Sequence, residues 1–148
     1  MKSFKYAFRG IFETVRSERN MRVHLCFALY VVTAGFVTQL TAPEWAAVLV
    51  CIGAVTALEC FNTALERLCD TLCPEKNEGI RRAKDAAAGA VLCAALASAA
   101  VGADIFFRAD RFAAALGFFK NNTVIAVLII LALIPLCFFV RGGKRDRE

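Results

Sequence analysis

The chain has 148 residues, of which 59% are hydrophobic, yet 18 Lys and Arg stand against 13 Asp and Glu for a net charge of +5. With a mean hydropathy of +0.57, it carries more apolar surface than a small soluble core can bury, and disorder is excluded for the same reason. The composition therefore predicts an all-α integral membrane protein whose charges sit in water at the ends of its segments.

In chain order, residues 1–17 come first. Phe4, Phe8, Ile11, Phe12 and Val15 recur at helical spacing, with Lys2, Lys5, Arg9, Glu13 and Arg16 between them. This is the pattern of an amphipathic helix on an anionic membrane surface, or of a helix packed on its own protein. Four apolar runs follow at 23–40, 45–58, 86–103 and 123–140, each suited to a span of about 20 residues. The basic region before the first run is too long for a cleavable signal peptide. Lys and Arg number six before the first run, five between the second and third, and four after the last; the loop at 104–122 has three and the loop at 39–44 none. Four spans put fifteen positives on one side and three on the other. The positive-inside rule then places both termini and the middle loop in the cytoplasm.

The second span continues past its apolar run. Residues 56–70 contain neither Gly nor Pro, so the helix is expected to run on. Glu59, Asn62, Glu66 and Asp70 fall at roughly 0°, 300°, 340° and 20° around it, one narrow stripe. Glu59 precedes Arg67 by eight residues and so lies ~12 Å deeper than that interface residue. A carboxylate at that depth needs either a cation on a neighbouring helix or a task. Glu18 and Asn20 stand at the cytoplasmic start of the first span, and Lys84 and Asp85 at that of the third. Carboxylates gathered on one face suit Mg²⁺, which binds through one or two of them plus phosphates. Lys supplies a point charge for phosphate, and a deep carboxylate can take the proton of a lipid hydroxyl. These are the parts of phosphoryl transfer. An ion path would instead call for buried charge on both sides.

At these residues the chain resembles a known family. Glu59-x-x-Asn62-x-x-x-Glu66-x-x-x-Asp70, followed by Ala83-Lys84-Asp85-Ala86-Ala87-Ala88-Gly89-Ala90-Val91, is similar to the signature of the small prokaryotic diacylglycerol kinases. Arg9-Gly10-Ile11-Phe12-Glu13-Thr14, with Glu18-Arg19-Asn20 and His24, resembles the Gram-positive branch, the undecaprenol kinases. The resemblance covers roughly residues 1–107. It implies an ATP-dependent lipid kinase of a bacterial plasma membrane: a homotrimer of three-span subunits with a surface helix and shared cytoplasmic active sites. The substrate implied is a lipid alcohol, undecaprenol or else diacylglycerol, with ATP as donor, Mg²⁺ as metal and no nucleic acid. By motif, Glu59 resembles the general base. Glu18 and Glu66 resemble the metal carboxylates, which also orient ATP. Lys84 and Asp85 resemble ATP contacts, and Tyr6 lies where the family can carry a nucleotide-contacting aromatic. Asp70, Glu75, Lys76 and Asn77 fall beside the nucleotide. Arg9, Asn20 and Arg22 are expected to contact lipid or phosphate, and Asn62 to give polar support. Neither a P-loop nor a G-x-G-x-x-G is present.

The expected division is a kinase domain over 1–107, with the surface helix at about 1–17 and spans at about 21–40, 44–70 and 84–106. An extension over 108–148 adds a fourth span at about 122–140 and a basic tail. The seven cysteines lie mostly in apolar runs, where they behave as small hydrophobes. Cys69 and Cys73, one turn apart, lack further ligands for a metal. His24 is expected to pack or hydrogen-bond.

Overall fold

A computed structural model describes residues 2–73, 75 and 77–141. Six helices follow one another: α1 (Lys2–Ser17), α2 (Arg19–Val37), α3 (Ala42–Leu72), α4 (Glu78–Phe106), α5 (Ala109–Asn121) and α6 (Thr123–Arg141). Among the described residues there is no strand. Three helices, α2, α3 and α4, are long and apolar enough to cross a membrane. At 31 and 29 residues, α3 and α4 would run ~46 Å and ~43 Å, well beyond a ~30 Å hydrocarbon core. They pack chiefly on each other, and one end of each must stand in water. Most of their surface is exposed in a single chain, as expected where side chains meet lipid or other helices.

α1 coincides with the amphipathic segment, and Phe4, Phe8, Ile11 and Phe12 all lie on its exposed surface. α4 begins six residues ahead of the expected span, because Asn77 caps it: its side-chain oxygen accepts from the amides of Gly79 at 2.8 Å and Ile80 at 3.3 Å. The expected loop at 104–122 is corrected in part. Residues 109–121 form a helix, favoured by a run of Ala and Leu with an acid, Asp110, in its first turn. α5 and the start of α6 are bent by 101°, a pair that would bring the number of spans to four. α6 occupies the stretch expected for the fourth span, and the basic tail at 142–148 lies outside the described residues. Leu25, Cys26 and Leu29 of α2 face Pro135 and Phe139 of α6 across an apolar cleft of about 370 Å³. The early turns of α2 thus meet the late turns of α6, so the two run antiparallel.

The core of the chain sits at the α2–α3 turn, where Leu40, Val48 and Ile105 are buried with Val31, Trp45, Ile52 and Val101 around them. Trp45 lies against Gly35, where an added Cβ would fall 2.8 Å from the indole Cη2, and meets Phe36 in a tilted ring contact with centroids 4.8 Å apart. Only a glycine lets the two helices close here. The turn itself places Gln39 at φ 56°, a left-handed conformation costing an ordinary residue about 1 kcal/mol.

Arg111 of α5 stabilises that turn. Its Nη1 donates to the carbonyls of Thr38 and Gln39, both at 2.9 Å, and its Nη2 donates to Glu44 Oε1 at 2.7 Å and Oε2 at 2.6 Å. Glu44 Oε2 also accepts the Thr41 amide at 2.8 Å and the Thr41 hydroxyl at 2.6 Å, closing the first turn of α3. The Arg111 and Glu44 side chains are only 11% and 14% exposed. Removing one partner of such a pair leaves a desolvated charge. Arg111→Met is expected to destabilise the fold, seen as a lowered thermal midpoint in detergent. An unchanged midpoint would mean that α5 does not bear on the turn.

Candidate active site

The polar side chains predicted to form a site converge at the other end of α3, along the stripe that helical spacing implies. Burial falls along it: Glu59 is 2% exposed and Asn62 8%, Glu66 is half-buried and Asp70 exposed. The stripe therefore runs from the apolar interior to water. Asn62 Nδ2 donates to Glu66 Oε1 at 3.0 Å, which orients that carboxylate, while Asn62 Oδ1 is buried without a hydrogen-bond partner. Thr63 turns its hydroxyl to the Glu59 carbonyl at 2.9 Å.

Glu18 joins them from the junction between α1 and α2. Glu18 and Glu66 are the carboxylates near enough to act on Glu59 through their charge. Among the described residues no Lys, Arg or His forms an ion pair with Glu59. The cation on a neighbouring helix that would make Glu59 a structural acid is therefore not found there. Three acids within reach of one another's charge create a negative field that a cation would relieve.

The rim is formed by the α3–α4 connection. Lys84 Nζ pairs with Asp70 across it, whereas Asp85 pairs with Arg81 at 3.0 Å. Neighbours in sequence thus point to different partners. Arg81 also binds Glu78 at 2.6 Å. Glu75 is exposed on the connection, Asn77 is engaged as the cap of α4, and Lys76 lies outside the described residues. Tyr6 and Arg9 lie on the exposed surface of α1, the latter 3.6 Å from Glu13, and Asn20 is exposed at the start of α2. None of these three is held against Glu18, Glu59 or Glu66 by a hydrogen bond.

Arg22 sits elsewhere than a surface phosphate contact would. It is 5% exposed, and its Nη1 donates to the carbonyls of Val15 at 3.1 Å and Arg16 at 2.9 Å. It closes the C-terminal end of α1, where carbonyls lack helical partners, beside the buried Thr14 and Met21. The residues around Glu18 that the sequence did not single out are Ser17 and Arg67. Arg67 Nη2 donates to Ser17 Oγ at 2.8 Å.

Among the described residues no group of three or more His, Cys, Asp or Glu is gathered as a ready metal cage. A Mg²⁺ that arrives with phosphates needs only one or two carboxylates. Glu18, Glu66 and the unpartnered Asn62 Oδ1 fit that case: hard oxygens, incompletely engaged, with the Lys84 ammonium at the rim.

A membrane bundle whose buried Glu59 has no described cation paired to it, and whose stripe leads through Glu66 to Asp70 and Lys84, suits an integral membrane enzyme, and the comparisons with known proteins say of which kind. The prokaryotic diacylglycerol kinase family model matches residues 5–106, and the chain belongs to that family of membrane lipid kinases. An undecaprenol kinase of Bacillus subtilis (strain 168) is 42% identical over 105 residues, covering 71% of this chain and 85% of that protein. A diacylglycerol kinase of Synechocystis sp. is 40% identical over 101 residues, 68% of this chain and 58% of that one. No solved structure matches the chain. The matched region stops before α5, so Arg111 lies outside it while its partner Glu44 lies inside.

Because Arg22 holds the last carbonyls of α1, Arg22→Met is expected to loosen that helix. Amide hydrogen exchange across residues 10–18 should quicken by about tenfold or more, the loss of hydrogen bonds made by a charged donor. Unchanged protection there would remove Arg22 from the capping role.

Proposed function

We propose that this protein phosphorylates undecaprenol to undecaprenyl phosphate with ATP, at the face of a bacterial plasma membrane that both termini share. The observation that carries the reading is Glu59: a carboxylate 2% exposed within a span, on the stripe that leads through Glu66 to Asp70, with no cation paired to it among the described residues. The similarity to the Bacillus subtilis undecaprenol kinase supports the choice of lipid.

In this reading Glu59 accepts the proton of the lipid hydroxyl. The oxygen attacks the γ-phosphorus of ATP, the bond to the ADP oxygen breaks, and the proton on Glu59 later leaves to water. Glu18 and Glu66 hold the metal side of the nucleotide, and Asn62 fixes the direction of Glu66. When bound, Mg²⁺ neutralises charge on the transferring phosphoryl group. Lys84 exchanges Asp70 for a phosphate oxygen, and Asp70 and Asp85 turn to the nucleotide. Glu75, Lys76, Asn77 and Tyr6 border it. Arg9 and Asn20, both exposed, meet the lipid substrate or phosphate, while Arg22 and Asn62 give support.

The assembly we propose is a homotrimer with sites shared between copies. The exposed small-residue face of α4, with Leu92 and Leu96 uncovered, supports close packing of further helices. Residues 1–107 form the kinase unit; 108–148 form an extension whose last helix lies beside α2.

Purified protein given labelled ATP and undecaprenol or diacylglycerol in matched micelles should transfer label to undecaprenol at least about tenfold faster, a discrimination of the size that one poorly fitting apolar group produces. Faster labelling of diacylglycerol would overturn the substrate, and no transfer to either lipid would overturn the activity.

A further inference from the structure

The junction that carries Glu18 is held by contacts that none of the assigned roles uses. The Glu18 amide bonds the Thr14 carbonyl at 2.8 Å, so α1 reaches up to Glu18 itself. From α3, Arg67 Nη2 donates to Ser17 Oγ at 2.8 Å, and Arg67 Nη1 lies 3.6 Å from Glu13 Oε2. Ser17 Oγ in turn donates to Glu18 Oε1 at 3.1 Å. The direction of this chain is chemically fixed. A guanidinium has no acceptor, so the serine oxygen must receive from it and its hydroxyl proton is left to point at the carboxylate. Arg67 directly follows Glu66 in the sequence. One turn of α3 therefore presents Glu66 to the site and, through its neighbour, holds the carboxylate that α1 and α2 bring to the same place.

We propose that Arg67 and Ser17 are positioning residues for Glu18. The guanidinium orients the serine hydroxyl, and the hydroxyl aims Glu18 at the metal–phosphate end of α3. This rests on the reading of Glu18 as a carboxylate that meets metal-bound ATP. The groups involved are exposed, and exposed polar pairs contribute little to folding stability. What such a pair does supply is direction, because a ligand carboxylate binds well only when its own orientation is held by outer hydrogen bonds.

The test is equilibrium binding of Mn²⁺–ATP to the purified full-length protein, followed by the EPR signal of free Mn²⁺, without lipid or turnover. Wild type is compared with Ser17→Ala, Ser17→Thr and Arg67→Met, each with its thermal midpoint. Ser17→Ala and Arg67→Met should weaken binding by about tenfold, the usual cost of losing an outer-shell partner. Ser17→Thr, which keeps the hydroxyl, should bind as wild type does, and the midpoints should hold. Affinity unmoved in both loss variants, or lost only in step with a falling midpoint, would overturn the positioning role, as would wild type that binds no Mn²⁺–ATP. A separate wild-type lipid assay keeps the two readings apart. Binding that follows the expected pattern without any lipid phosphorylation would sink the kinase reading alone. Turnover with unmoved affinities would sink the positioning role alone.

Discussion

One constraint organises the molecule: a carboxylate buried in a span, without a cation beside it among the described residues. Removing Glu59 from water costs several kcal/mol, and the fold does not recover this through an ion pair. It surrounds the acid instead with groups that lead outward. Asn62 and Glu66 continue the stripe, Asp70 reaches solvent, and Lys84 waits across the rim. Here an amide oxygen is buried unpartnered, and acids lie within reach of each other's charge. That arrangement suits a ligand that brings positive charge and hydrogen-bond donors.

The two ends of the bundle are built for different purposes. At the α2–α3 turn, apolar packing, a glycine under a tryptophan and a buried Arg–Glu pair fix the helices rigidly. α5, from beyond the matched family region, supplies the arginine, so the extension is part of what holds the hairpin. At the carboxylate end the helices are joined by the surface pairs Lys84–Asp70 and Arg67–Glu13 and by a capped connection. Such contacts are individually weak and can be exchanged for a substrate. Rigidity at one end lets the other rearrange without loss of the fold.

The helices and the stripe were legible in the sequence because both rest on periodicity. An apolar run, the missing helix breakers at 56–70 and the spacing of Glu59, Asn62, Glu66 and Asp70 are local properties of one segment. The partners of individual charges were not legible. Arg111 counted as a loop charge, yet it meets Glu44, 67 residues away; only the Thr41–Glu44 spacing of a helix start hinted that this end was structured. Arg22 read as a contact for lipid or phosphate and lies buried under the end of α1. Asn77 read as a nucleotide neighbour and caps α4, as Asn before Glu and Gly could have suggested. Lys84 read as a charge for phosphate and joins Asp70. Each of these depends on which helices touch, and a single sequence does not encode that in any local pattern.

The central claim is that Glu59 is retained for chemistry at the expense of stability. The most direct test is Glu59→Gln, read for thermal stability and lipid phosphorylation on the same preparation. The account predicts that turnover falls by about 10²–10⁴-fold, as loss of a general base does, while the thermal midpoint stays level or rises, because a neutral amide of equal size removes a buried acid. A variant that keeps its turnover, or whose midpoint drops as when a buried ion pair is broken, would contradict it.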